Sequence, residues 1–230
     1  MIRLSIVGFL LLVAGFSLSL AKNSVGNQSV GKKPPIRSVL ILGNSMVRHG
    51  PAPAIGWPND WGMAASVADS DFVHRLIRDI HRSQPTVRVR YLNIAGWERS
   101  YTHYALTQLD SLRNPDVLIM RVAENVNDKQ AVDSGFVASY DQLIRYLDPE
   151  GKAVNVITDG FWTNQHVNPL IQAYAKQKNY PFVGLSDLSA DPTNMALTQY
   201  TNAGVGRHPS DKGMRLIENR IWALIKSYFN

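Results

Sequence analysis

Val39-Leu40-Ile41-Leu42-Gly43-Asn44-Ser45 (residues 39–45) runs from a short apolar stretch into a turn, and far downstream stands His208-Pro209-Ser210-Asp211-Lys212-Gly213. A continuous apolar run of this length, stopped by turn residues, predicts a strand buried on both faces. Gly43-Asn44-Ser45 then puts a serine on a tight turn between strand and helix, and His208 falls just before a C-terminal helix. A nucleophile and a base to take its proton are the two groups that acyl transfer needs. Neither is specific alone. A serine in such a turn is commonly a cap, and Asp211 reads as a cap at the positive end of the last helix rather than as a catalytic acid.

Working outward, residues 37–42, 86–94, 116–122, 153–158 and 181–184 read as strands. Residues 71–83, 101–112, 137–147, 169–178 and 211–228 read as helices, and 186–209 as loop-rich. In 71–83 the spacing of Phe72, Leu76 and Ile80 gives one apolar helical face; in 86–94 Val87, Val89 and Tyr91 alternate with Arg88 and Arg90. Strands alternating with helices imply right-handed crossovers, hence a mainly parallel five-stranded sheet in a three-layer α/β/α sandwich. Ligands bind such sheets beyond the carboxyl ends of the strands, where strand order reverses. That rule puts Ser45, Gly96, Asn125 and the loop after Thr158 on one rim.

Taken together, Gly43-Asn44-Ser45, Ala95-Gly96, Ala123-Glu124-Asn125 and His208 resemble the four blocks of the SGNH (GDSL-like) hydrolases, which contribute Ser, Gly, Asn and His in that order. The resemblance spans nearly all of residues 37–230, and the run LGNSMVRHGPAPAIGWPNDWGMAAS is similar to an exported bacterial subgroup of that superfamily. It implies a flavodoxin-like α/β/α fold and ester chemistry on small or carbohydrate-linked acyl compounds. By the same resemblance Ser45 is the nucleophile and His208 its general base. The N–H groups of Ser45 and Gly96 and the side-chain amide of Asn125 are the oxyanion donors, groups worth about 3 kcal/mol each when aimed in advance. The chain departs from the pattern at Asn44 (usually Asp), Ala123 (usually Gly) and Val126 (often Asp). It also has Val205 where the family's acid stands, three residues before the histidine. Two repairs are open: a main-chain carbonyl orients His208, or a carboxylate arrives from Glu124, Asp159, Asp187 or Asp191. A site that binds without turnover is the third reading.

Trp57, Trp61, Trp97 and Trp162 fall in loops of the expected rim, where indole faces suit sugar rings; the alternative is that they pack the long loop as its own core. The histidines lack metal-ligand spacing, and no phosphate-binding or dinucleotide glycine loop is present, so no metal or cofactor is expected. Net charge is +6 with a pI near 9.6, but the basic residues are scattered, which argues for a solvated surface and against nucleic acid. Residues 1–21 read as a signal peptide and 22–36 as a flexible linker, leaving 37–230 as one domain with no stable membrane span after cleavage. There is no cysteine, so packing alone holds the exported fold. The expectation is a periplasmic or extracellular monomeric serine esterase acting on O-acetyl or similar groups of a saccharide. An acyltransferase, or a non-catalytic carbohydrate-binding or assembly protein, is the alternative.

Overall fold

The first strand, β1 (Ser38–Gly43), is buried from Val39 onward and divides its side chains between two cores. Val39 and Ile41 face one core, Leu40 and Leu42 the other. A strand buried on both faces belongs at the centre of a parallel sheet, and β1 pairs in parallel with both β2 (Arg88–Asn93) and β3 (Val117–Met120). Adding β4 (Val154–Thr158) and β5 (Phe182–Val183) gives an all-parallel sheet in the order β2-β1-β3-β4-β5. The order reverses between β1 and β3, so the crevice for a ligand opens where these two strands end. The computed structural model describes residues 35–133 and 135–229; the expected signal peptide and linker residues 22–34 lie outside them. Among the described residues no helix is long and apolar enough to cross a membrane.

Two helical layers cover the sheet. On the Val39 face lie α1 (Phe72–Ser83) and α6 (Asp211–Ile225), which contribute Phe72, Leu76 and Ile80, and Met214, Ile217 and Ile221. The Leu40 face takes α3 (Phe136–Leu147) and α4 (Val167–Lys178) through Phe136, Tyr140 and Ile144, and Val167 and Ile171. The three-layer α/β/α sandwich expected from the sequence is the one observed.

Three local expectations are corrected. Residues 101–112 do not form an α-helix. A five-residue helix, α2 (Ala95–Arg99), follows β2 directly, and Leu106–Leu112 is a 3-10 helix. The Asn93 side chain accepts the Ala95 N–H at 2.8 Å and starts α2 early, while Leu106, Leu109 and Leu112 at spacing three align on a 3-10 turn. The serine, secondly, leads into a turn, with Asn44 carbonyl accepting the Val47 and Arg48 N–H groups, and a long loop before α1 rather than into a helix. Thirdly, Ser210 caps α6, its Oγ accepting the Gly213 N–H at 3.4 Å. Asp211 instead accepts from the N–H and hydroxyl of Ser66 at 2.8 and 2.6 Å, tying the long loop to α6.

Candidate active site

Gly43 at the end of β1 is required by close approach: a Cβ there would lie 2.5 Å from Val47 Cγ2 and 2.7 Å from the Arg121 carbonyl. The turn that this tight packing permits projects Ser45. Its Oγ lies 2.8 Å from His208 Nε2, across 163 residues of sequence. His208 reaches that position from α5 (Ala203–Gly206), a single turn capped by Asn202, which accepts the Gly204 and Val205 N–H groups. The His208 N–H then bonds the Val205 carbonyl, and the His208 carbonyl takes the Ala196 N–H, so the backbone is held on both sides.

The other ring nitrogen decides the tautomer. His208 Nδ1 is 2.8 Å from the Gly204 carbonyl oxygen. A carbonyl only accepts, so Nδ1 carries the proton and Nε2 presents its lone pair to the Ser45 hydroxyl. A helix as short as α5 leaves such carbonyls unclaimed. Of the two repairs open from the sequence, the main-chain carbonyl is the one present. The four candidate carboxylates are engaged elsewhere: Glu124 with Arg121, Asp159 with the Leu185 N–H and Ser186, Asp187 with Arg220, and Asp191 with Lys212 and Thr193. Val205 is buried in a small core with Trp57, Met63 and Ala196, an environment closed to an ionised acid. Burial lowers the His208 pKa below its ordinary 6.5, although the Gly204 bond and the Glu124 charge oppose the shift.

Beneath the serine turn lies a buried polar network. Asn44, fully buried, donates through Nδ2 to Glu98 Oε1 at 3.0 Å and Glu124 Oε2 at 2.6 Å. Glu124 is also held by both terminal nitrogens of Arg121 at 2.7 Å and by the Phe161 N–H at 2.7 Å. Burial raises its pKa, but the Arg121 charge and these bonds outweigh burial and leave it lowered. Glu98 has no such cation, and burial first, then the Glu124 charge, raises its pKa to about 7. An amide at position 44 fits between two carboxylates where a third carboxylate would not.

A cleft of about 280 Å³ opens over this network, lined by Ser45, His208, Asn125, Arg99, Trp162 and Asn202 among others. The Asn125 oxygen accepts from Arg99 at 2.7 Å, and its Nδ2 donates to Glu98 Oε2 at 2.5 Å. Gly96 is exposed in the first turn of α2, where N–H groups have no partner within the helix, and does not line the cleft.

The tryptophans divide. Trp57 and Trp97 are 0% and 1% exposed, which corrects their assignment to a sugar-stacking rim. Trp57 anchors the long loop, packing on Trp61 and Tyr200 and donating to the His49 carbonyl at 3.0 Å. Trp97 packs against Tyr101, Phe136 and Tyr140 under the sheet edge. Trp61 is half-buried and donates to the Ala65 carbonyl. Only Trp162 of the four lines the cleft, its ring perpendicular to His208 at 5.4 Å. Sequence reasoning missed Glu98, Arg99 and Asn202. Glu98 left a signal, an acidic residue directly after Trp97 and past the end of β2, but its burial depends on β3 and the segment after it arriving from 19 or more residues away in sequence.

The fold is shared with solved hydrolases. A two-domain esterase active on acetylated mannans matches at 16% identity and a TM-score of 0.53, over 84% of this chain and 50% of that one, so this chain spans half its length. A Bacteroides uniformis protein of the GDSL-like lipase type matches at 15% identity and a TM-score of 0.57, over 84% and 96% of the two chains. A psychrotrophic esterase from Pseudoalteromonas matches at 14% identity and 0.51, over 84% and 99%. The chain has the α/β/α fold of the SGNH, GDSL-like hydrolases. No family model matches the sequence, and no curated protein matches it.

Proposed function

We propose that this protein is a serine ester hydrolase of the SGNH type that removes short acyl groups from a polar, saccharide-like alcohol. The observation that carries the proposal is the relay Gly204 carbonyl–His208–Ser45, with both ring contacts at 2.8 Å. In it, His208 Nε2 takes the Ser45 proton as Oγ attacks the ester carbonyl, giving a tetrahedral intermediate whose oxyanion Asn125 and backbone N–H groups would stabilise. Collapse releases the alcohol, which receives the proton from His208, and leaves an acyl-serine. Water activated by the same nitrogen then frees the acid and restores the serine.

The size of the cleft supports a short acyl group. A polar alcohol is supported by a wider groove, about 630 Å³, between residues 54–56 and 199–202. Ile55 and Asn202 line both spaces, so the groove leads directly into the cleft. Its walls carry Gln199, Tyr200, Thr201 and Asn202 and no charged side chain, a surface suited to a neutral polyhydroxylated group. Export to the periplasm or beyond, expected from residues 1–21, belongs to the same proposal.

The test is hydrolysis of p-nitrophenyl acetate and of an acetylated manno-oligosaccharide by the wild type, Ser45→Ala and His208→Ala. Both variants are expected to lose at least about 10³-fold in kcat while keeping the wild-type circular dichroism. Activity surviving Ser45→Ala would overturn the assignment of the nucleophile. A wild type that cleaves neither ester and does not label with a fluorophosphonate would overturn the esterase reading.

A further inference from the structure

Asn125 is gripped from both sides by two consecutive residues of α2. Arg99 Nη2 donates to Asn125 Oδ1 at 2.7 Å, and Glu98 Oε2 accepts from Asn125 Nδ2 at 2.5 Å. Arg99 has only donors, so it fixes Oδ1 as the end it meets and leaves Nδ2 to face Glu98. The Nδ2 group has two hydrogens; Glu98 takes one, and the second is left for a ligand in the cleft that Asn125 lines. Flipped by 180°, the amide would set N–H against guanidinium and oxygen against carboxylate. Glu98 is itself held in place by two further bonds: Oε1 accepts from the Ala123 N–H at 2.6 Å and from Asn44 Nδ2 at 3.0 Å, and the residue is fully buried. One carboxylate therefore ties together the turn that carries the serine, the segment that carries Asn125, and the helix that begins at Ala95.

We propose that Glu98 and Arg99 are positioning residues that hold the Asn125 amide with one N–H aimed at the oxyanion. The inference rests on the esterase reading above. It adds that the oxyanion donor is pre-aimed by a carboxylate and a guanidinium acting on opposite ends of one amide. A donor must be oriented before charge develops if it is to favour the transition state over the bound ester. The clamp should therefore act on kcat and leave KM nearly unchanged.

Glu98→Gln isolates this role. It keeps the side-chain length and an oxygen for Ala123 and Asn44, but puts an NH₂ opposite the Asn125 NH₂ and so drives the amide to flip or withdraw. Steady-state kinetics with p-nitrophenyl acetate would be measured for Asn125→Ala, Glu98→Gln, Arg99→Ala and each pairing of the last two with Asn125→Ala. Asn125→Ala is expected to lose about 10²-fold or more in kcat. Glu98→Gln is expected to lose at least about tenfold in kcat, with KM within about threefold of wild type. The double variant should be no slower than Asn125→Ala alone, because an effect exerted through Asn125 vanishes with it. Losses that multiply in the double variant would mean a general structural role and overturn the proposal, as would a Glu98→Gln enzyme of wild-type kcat. If Glu98→Gln does not fold, Arg99→Ala carries the test, since Arg99 is exposed: the same non-additive loss supports the clamp, and an unchanged kcat overturns it. Wild-type kcat in Asn125→Ala, with Ser45→Ala inactive, would overturn the clamp while the esterase reading stands. An inactive wild type would overturn both.

Discussion

At the scale of single residues, the site depends on one proton. His208 has a carbonyl at Nδ1 and a hydroxyl at Nε2, both at 2.8 Å, so its ring is oriented without an acid. A carbonyl fixes the tautomer as a carboxylate does, but it contributes no full charge to the imidazolium that forms. Burial therefore lowers the pKa below 6.5 despite the Gly204 bond and the Glu124 charge. The neutral form, whose Nε2 faces the Ser45 hydroxyl, grows as pH rises through that lowered value. An NMR titration of the imidazole C–H signals, assigned with His208→Ala, is expected to give a midpoint below 6.5. A midpoint above 7 would mean that a carboxylate reaches the ring in solution.

At the scale of elements, the loop 48–71 and the α5 turn form one unit. Antiparallel bridges join His49 to Trp61 and Ala52 to Trp57, and the resulting lobe buries Trp57 against Met63, Ala196 and Val205. Val205, three residues before His208, is thus a core residue under this lobe. Adding the acid should not restore a triad. Val205→Asp puts a carboxylate among apolar side chains and is expected to cost at least about 2 kcal/mol, read from urea unfolding. Its kcat should not exceed the wild type's; a stable and faster Val205→Asp enzyme would show that the lobe is not what excludes the acid.

At the scale of the whole molecule, several buried acids outside the relay hold protons more tightly than an unfolded chain does. Glu98 and Glu218 both rise from 4.5 to about 7, Glu98 by burial and then the Glu124 charge, Glu218 by burial and then a hydrogen bond with Asp79. Burial raises Asp159, and the hydrogen bond that the His74 ring donates to the Asp71 carboxylate raises His74. Between the unfolded and folded pKa values the native state carries more protons than the unfolded state, so stability falls as pH rises through that window. His208, with a lowered pKa, acts in the opposite sense; the carboxylates with lowered values, among them Glu124, Asp128 and Asp187, are ionised in both states above about pH 5.5 and drop out of this window. The urea midpoint is therefore expected to be higher at pH 5.5 than at pH 8, and Glu218→Gln should flatten the difference. A midpoint that rises with pH would mean that these carboxyls are hydrated rather than buried.

The parallel sheet and its two helical layers were legible in the sequence because they rest on local signals, whereas the pairing of Ser45 with His208 was legible only through the four-block resemblance, since neither residue is specific alone. Apolar runs fix strands buried on both faces, 3.6-residue periodicity fixes α1, and a short strand-to-turn motif marks the serine. The weak α2 and the 3-10 turn at Leu106–Leu112 were not legible, since both owe their bounds to side-chain capping and packing rather than to periodicity. What orients His208, which tryptophan faces the cleft, and how Asn125 is aimed were decided only by tertiary structure. Each depends on a neighbour that residue type does not announce: a carbonyl four residues away left unclaimed by a one-turn helix, a loop lobe that buries Trp57, and a carboxylate from α2 meeting an amide from the loop after β3. Residue type states what a side chain can do. Burial and the geometry of its neighbours, which arise only when the strands assemble, decide which of those things it does.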